Sequence, residues 1–542
     1  MTIQEQCRIL AAQTLPRILS QICRDENSPD YGCCDRNHHH YKIRDFASII
    51  IQQAGYAAWC ASLLPENAHF ADGLRRTARG ACLYWNRRAR KLRAFEEYYP
   101  WEEGYPPLAF SSLAVAKLAL AGVVKAEDIR TGMRIAARQL LARFEPQASN
   151  QQAAGASALC HIRKLFPELV PEQKLEEIIR KTLKCQHPEG WYMEYGGQDL
   201  GYLSVTMDCL WDAFDVTDDV RFRDSAARAL RYIGVFLAVS PRGIGMHNAR
   251  NTDYVVPYGI ARFLEDPDFA PLAARILRGL LQTVDAPDHY LRAVDDRYFC
   301  HYIGHSLYRA LPLLDKLDAV PETPAAGADL FLEGTGHFLR GSAAPFRAIV
   351  SGKKGGIVTL FDENGRTISD FGWVVPDGKR LWVNHWWSDD WQFVLRDERI
   401  VVTGALSSHK YVPSTPFRHL GLRCMSFLMG RRIIAFLKGK LIFKGTGRAL
   451  YRFRREIEFD TERVVIRDEF QVPPGGTPKP ARRTSQRHVA SADSFHWEDF
   501  RNDEPGCGIV CEENREVRDG VFFAERVYRL AEKKMNLEGK IV

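Results

Sequence analysis

No run of about 18 consecutive apolar residues occurs in this 542-residue chain, so no transmembrane helix is expected. No secretory leader is expected from MTIQEQCRILAAQTLPRIL, which has no basic segment followed by an apolar one and a small-residue cleavage site. Lysine and arginine are not gathered into a stripe, and a formal charge of +7 is small for this length. Nucleic acid is therefore not expected as a partner, whereas an acidic polymer is permitted. Neither Cys33-Cys34 nor Cys507/Cys511 has the spacing of zinc ligands with further partners. No metal and no cofactor are expected, with room left for a structural divalent metal in the second half. The thirteen cysteines are odd in number, and Cys60, Cys82, Cys160 and Cys209 sit in apolar helical patterns that suit buried thiols. A cytoplasmic setting is the expectation, with periplasmic or non-classical export left open. A repeated consensus of the TPR or HEAT kind is absent too.

What is present divides into two halves. Apolar content of 46% and charged content of 26% describe a globular chain, long enough for two domains. From about residue 46 to 316 the apolar residues recur at helical spacing, as in FASIIIQQAGYAAWCASLL, LAFSSLAVAKLALAGVV, PEQKLEEIIRKTLKC and RFRDSAARALRYIGVFLAV. Short loops with Pro, Gly or Asp join them, so antiparallel hairpins are predicted, curled into an (α/α) toroid. DAVPETPAAGADLF, 318 to 331, breaks this pattern. Beyond it the period is two: FRAIVSG, GGIVTLFD, KRLWVNHW, QFVLRD, RIVVTG, RIIAFLKG, KLIFKG, REIEFD and ERVVIRDEF read as strands of an antiparallel sandwich. The expected architecture is α+β and multidomain: a toroid over 1–320, then an antiparallel β-sandwich over 328–542, whose tail YRLAEKKMNLEGKIV is too short for a further domain.

Four loops carry residues that packing does not require. EGWYMEYGGQDLGYLSVTMDCLWDAF sets Tyr195 and Tyr202 around the pair Gly196-Gly197, just ahead of a helix. The glycines allow a turn with positive φ; the tyrosines are either scaffold or, for one of them, a proton carrier whose pKa must come down from about 10. Asn150 and Gln151 open the helix NQQAAGASALCHIRKLF, as cap or as donors to an acidic group. GIGMHNARNTDYVVPYG holds His247, Arg250, Asn251 and Tyr254, as a binding cluster or a structural network. DRNHHHYKIRDF holds Arg36, His39 and His40, as a basic cleft-lining face, a solvated approach to a helix or, least favoured, a metal site. His301 and His305 stand i, i+4 on one helix without a third metal ligand nearby.

The order of these segments resembles the heparinase II/III-like polysaccharide lyase superfamily, over both halves. EGWYMEYGGQDLGYLS is similar to the family's loop of Gly, aromatic, Glu and a later Tyr, which puts Tyr202 at the place of its catalytic tyrosine. Asn150 in SNQQAAG resembles its carboxylate-binding asparagine, and HNARNT a later polar loop. The family's His-x-His-x-Asp segment has no counterpart in FRAIVSGKKGGIVTLFD; His337, His385, Lys353 or Lys354 stand in as candidates.

The resemblance implies a bacterial lyase that cleaves an acidic, uronate-containing poly- or oligosaccharide by β-elimination. Asn150 and Arg250 would neutralise the carboxylate, Tyr202 would act as base and then acid, and His247 would assist. His39, His40, Arg36, Tyr195, Gln151, Asn251, Tyr254, His301, Lys354 and His385 are the expected substrate contacts. Two alternatives stand beside this reading. One is a toroid glycoside hydrolase using Glu189, Glu194, Asp199 or Asp208; the other is a glycan-binding protein of capsule or surface-polymer assembly. Oligomeric state is not legible in the chain.

Overall fold

The structure is a computed structural model that describes every residue except 92–93, 323–326, 328, 342–345, 379, 411–412, 442–450, 486–495 and 532–542. Helices dominate up to Leu317–Ala319 and strands dominate from Leu330–Leu332 onward. Residue 328, most of the expected strand KLIFKG and most of the C-terminal tail lie outside the described residues.

The helical half begins earlier than the periodicity suggests. Ile3–Gln21 is a helix fixed by a reciprocal cap, the Thr2 hydroxyl accepting from the Glu5 amide at 3.2 Å while the Glu5 carboxylate accepts from the Thr2 amide at 2.8 Å. It packs against Gly304–Leu314, the last long helix of this half, so the array curls back on itself. Inside the array, Ser149–Leu165 lies between Tyr105–Leu120 and Leu200–Thr217. Apolar side chains of all these helices join one continuous core.

The strands form three antiparallel sheets. Leu330–Leu332, His337–Arg340, Arg347–Ser351, Ile357–Phe361 and Thr367–Asp370 pair in chain order. A four-stranded sheet runs Ser407–Lys410, Arg380–Val383, Trp373–Pro376, Lys479–Pro480. The third sheet runs Ile509–Arg518, Val521–Leu530, Arg463–Gln471, Arg452–Phe459, Arg399–Ala405, Gln392–Arg396. One expected strand is wrong. RIIAFLKG belongs to the helix Arg432–Leu441, which follows the helix Pro416–Met429 in a hairpin between two strands. Ile433 is buried and Ile434 and Leu437 face the helical half, an i, i+1, i+4 pattern that a run of β-branched residues disguises.

The β-core is tied by four buried charges. Arg455 donates to both oxygens of Asp468, at 2.7 and 2.8 Å, and reaches Asp370 at 3.2 Å. Arg526 bridges the same two carboxylates, while Trp373 Nε1 donates to Asp468 at 2.7 Å and Tyr528 to Asp370 at 3.0 Å. Removing one member strands the opposite charge in the core. Arg455→Met is expected to lower the unfolding free energy by about 3–5 kcal/mol in denaturant titration. Arg130→Ala, which breaks the exposed ion pairs to Glu127 and Glu168, should cost under about 1 kcal/mol.

Candidate active site

The cleft is organised by one short loop. Residues 192–197 turn back on themselves through bridges between Glu194 and Gly197 and between Glu194 and Ala148. Ser149 N donates to Met193 O at 3.1 Å and Tyr195 N to Gln147 O at 2.6 Å, so the loop is laid along the entry to the helix Ser149–Leu165. The two glycines serve different ends. Gly196 holds φ +95, while a Cβ on Gly197 would sit 2.3 Å from the ring of Trp387, which reaches over from the β-half and donates to Gly196 O at 3.1 Å.

Asp199 then starts the helix Leu200–Thr217. Its Oδ1 accepts from Tyr202 N at 3.1 Å and from the Thr252 hydroxyl, and its Oδ2 accepts from Arg250 N at 3.1 Å. One carboxylate therefore caps the helix that carries Tyr202 and anchors the segment that carries Arg250. Burial pushes its pKa up, against the pull of the Thr252, Tyr202 and Arg250 donors. Arg250 stacks over the ring of Tyr195 at 4.7 Å, and Gln151 Nε2 donates to the Tyr195 hydroxyl at 3.0 Å. Asn150 is not the helix cap, a place taken by Ala148; its Nδ2 donates to Glu194 Oε2 at 2.8 Å, which uses one of its two N–H groups.

Asn150, Gln151, Tyr195, Tyr202, Arg250 and His301 line one cleft of about 190 Å³. Its other walls carry no local signal in the sequence: Glu97, Tyr98, Tyr99 and Glu102, Tyr298 and Tyr302 beside His301, and Ile434 and Leu437 from the helix Arg432–Leu441. Gln151 and His301 line this space, and each has one buried polar atom, Gln151 Oε1 and His301 Nε2, with no hydrogen-bond partner among the described residues. His301 sits on a single π-helical turn, Phe299–Ile303, with its ring 5.1 Å from that of Tyr298. Burial and the Arg297 charge hold its pKa well below the ordinary value, so the imidazole is neutral.

The phenol of Tyr202 does not meet the electrostatic expectation. Burial, then Tyr302 and Tyr298, push its pKa well above 10; Arg250 pulls it down and Glu194 pushes it further up. As a neutral phenol it is a proton donor. Tyr254 stands one layer behind, edge-on to Tyr202 at 6.0 Å and bonded to the Tyr302 hydroxyl at 2.7 Å, so it supports the wall without being part of it.

Several expected contacts are elsewhere. His247 is absent from the cleft lining, with its ring nitrogens on Ser351 Oγ at 2.6 Å and Thr359 Oγ1 at 2.9 Å. Lys354 is buried against the same loop and donates to Met246 O at 2.5 Å, Asn248 O at 2.6 Å and Asn251 Oδ1. Burial takes its pKa down to about 7, with Asp199 opposing and Arg250 assisting. Lys354 and Asn251 thus position the Arg250 loop and do not line the cleft. Lys353, the other lysine candidate, pairs with Asp389 at 2.7 Å. His337 is likewise occupied, by Thr335 at 2.9 Å and His247 O at 3.1 Å, and His385 is buried against Phe371 O at 3.2 Å. Arg36, His39 and His40 are also away from the cleft: Arg36 donates to Ser20 O, His39 bonds Gln21 O, and His40 is exposed. The hydrolase candidates are committed to structure, with Glu189 accepting from Trp191 and Gly334, Asp208 from Gly259, Glu194 from Asn150, and Asp199 as described. Among the described residues no group of three His, Cys, Asp or Glu side chains is arranged to hold a metal.

No family model matches the chain, and no curated protein matches it. Among solved structures, a chondroitin AC lyase from Streptomyces coelicolor A3 in complex with chondroitin sulphate is similar over 96% of this chain and 77% of that one, at 10% identity and a TM-score of 0.50. A heparinase III is similar over 80% of this chain and 70% of its own, at 10% identity and a TM-score of 0.41. A mutant heparan sulfate lyase from Pedobacter heparinus is similar over 97% and 80%, at 10% identity and 0.40. The first likeness shows the fold: a helical toroid followed by a β-domain, as in that polysaccharide lyase.

Two outcomes test the site's electrostatics. Glu102 accepts from the amides of Glu97, Tyr98 and Tyr99, yet burial and the Glu97 charge raise its pKa from 4.5 to about 8. The folded chain keeps a proton that the unfolded chain releases, so this contribution to stability is full below pH 4.5 and is lost as pH rises through 8. Glu102→Gln should flatten the fall in melting temperature across that window, a slope of at most about 1.4 kcal/mol per pH unit. Asp199→Asn replaces an acceptor oxygen by a donor and is expected to cost about 1–3 kcal/mol in denaturant titration.

Proposed function

We propose that this chain, with the fold of a polysaccharide lyase, cleaves an acidic, uronate-containing polysaccharide or oligosaccharide by β-elimination. The observation that carries the reading is convergence. An amide (Asn150), a guanidinium (Arg250), a phenol (Tyr202) and a neutral imidazole (His301) come from four separate segments into one cleft.

In such an elimination the proton on C5, beside the carboxylate, is removed, its electron pair forms the C4–C5 double bond, and the C4–O bond breaks. Neutralising the carboxylate stabilises the enolate-like intermediate, and Arg250 with the remaining Asn150 N–H are the donors for it. Tyr202, held as a neutral phenol by burial, protonates the leaving oxygen. The C5 proton goes to His301, whose Nε2 has no hydrogen-bond partner among the described residues and whose burial keeps it unprotonated. Gln151 Oε1 offers an acceptor to a sugar hydroxyl. The wall carboxylates do not oppose an anionic substrate strongly: Glu97 is paired with Arg297 at 2.9 Å, and Glu102 is largely protonated below pH 8.

A hydrolase would need two carboxylates free to act across a glycosidic bond. Glu97 and Glu102 are the carboxylates in the cleft, and the loop amides and Arg297 already engage them. The occupied histidines of the β-half, His337 on Thr335 and His247 O and His385 on Phe371 O, favour the third reading, a glycan-binding protein without turnover. One experiment separates the three: incubation with a panel of acidic polysaccharides, following chain length and the ultraviolet absorbance of the new double bond. Shortening with absorbance is expected; shortening without it means hydrolysis, and binding with neither means a binding protein. Tyr202→Phe and His301→Gln should each lower turnover by about 10²–10⁴-fold. Near-normal turnover in Tyr202→Phe would remove the tyrosine from the mechanism.

A further inference from the structure

The helical hairpin that caps the cleft has a second, outward face. Pro416–Met429 is a full helix, capped by Thr415, yet of its fourteen residues Ser426 alone is buried. Phe417, Leu420, Cys424 and Leu428 recur at i, i+3, i+7 and i+11, one stripe along the helix. That stripe faces solvent, with Phe417 86%, Leu420 60% and Leu428 76% exposed. An apolar stripe turned toward water on a long helix marks an interaction face rather than a packing one.

The charges that the hairpin's own segment carries have one sign, although Arg423 pairs with Asp45, and Arg399, Arg454 and Arg455 pair with carboxylates of the β-half. From Arg399 to Arg455 the chain has no aspartate or glutamate and thirteen lysines and arginines. Arg418, Arg431 and Arg432 are exposed on the hairpin itself. The hairpin is also held firmly from below. Ser426 Oγ donates to Pro100 O at 2.5 Å, Arg423 pairs with Asp45 at 2.7 Å, and Phe427 meets Trp101 edge-on at 5.4 Å.

We propose that this face docks on an anionic lipid bilayer. Phe417, Leu420 and Leu428 would enter the acyl boundary while Arg418, Arg431 and Arg432 meet lipid phosphates. Aliphatic leucines in the stripe suit hydrocarbon and give little to a hydrated polysaccharide, and the exposed Arg418, Arg431 and Arg432 select an anionic surface. No helix among the described residues is long and apolar enough to cross a membrane, so the contact is peripheral. The same hairpin supplies Ile434 and Leu437 to the cleft, so docking brings the cleft close to the bilayer. The inference stands independently of the chemistry proposed for that cleft.

Sedimentation of the full chain with vesicles tests it. Phosphatidylcholine vesicles containing a minority of phosphatidylglycerol should carry the protein down; pure phosphatidylcholine vesicles should not. The double variants Phe417→Ser with Leu428→Ser, and Arg431→Glu with Arg432→Glu, should each weaken binding about tenfold or more. Their circular dichroism and melting temperature should stay unchanged, since these side chains are exposed. No binding to anionic vesicles, or equal binding by either variant, would overturn the proposal. So would lipid-free self-association that Phe417→Ser with Leu428→Ser abolishes, because the face would then belong to a second copy of the chain.

Discussion

The Asp199 carboxylate is the contact on which the cleft depends. Its two oxygens join the end of the glycine loop and the first turn of the helix bearing Tyr202 to a segment distant in sequence, the loop holding Arg250 and Thr252. A buried carboxylate is costly unless its lone pairs are filled, and here they are filled by the groups whose positions matter. The cap therefore does more than start a helix. It sets the phenol and the guanidinium on one side of the same pocket, while the loop just before it carries Tyr195 to stack on Arg250 and Glu194 to hold Asn150.

The β-half contributes to the cleft mostly without entering it. Lys354 fills three acceptors of the loop that bears Arg250, Ser351 and Thr359 hold the ring of His247, and Trp387 lies over Gly197. These contacts explain why a polar loop with a histidine reads as catalytic and yet is largely structural. A buried interface between two halves needs its amides and carbonyls satisfied, and side chains that satisfy them look much like a binding site when only the sequence is visible. The exception is the hairpin Pro416–Met429 and Arg432–Leu441, which sends Ile434 and Leu437 directly into the cleft wall.

The helical half was legible because each helix buries one stripe, so its 3.6-residue period survives in the sequence. The strands with one buried face were legible for the same reason, with period two. The hairpin Ile509–Arg518 and Val521–Leu530 escaped notice: CEENREVR is exposed along its length, an edge strand with no apolar alternation to betray it. RIIAFLKG failed for the opposite reason, a run of apolar residues too dense to show which period it follows. At the site, Tyr202, Asn150, Gln151, Tyr195 and Arg250 were readable as loop residues beyond the needs of packing. Glu97, Glu102, Tyr298 and Tyr302 were not, because they reach the cleft through contacts with no local signature. His301 was singled out in sequence, but its place in the cleft depends on a π-helical turn that no residue pattern announces.

The account rests on one geometric claim, that an acid group is gripped at Asn150 and Arg250 while the C5 proton beside it faces His301 and the leaving C4 oxygen faces Tyr202. A crystal structure of the Tyr202→Phe protein soaked with a uronate-containing oligosaccharide tests this most directly. The account predicts a carboxylate within hydrogen-bonding distance of both Asn150 Nδ2 and the Arg250 guanidinium, with His301 on the path of the departing proton. A sugar bound elsewhere, or bound here with its carboxylate turned away from that pair, would contradict it.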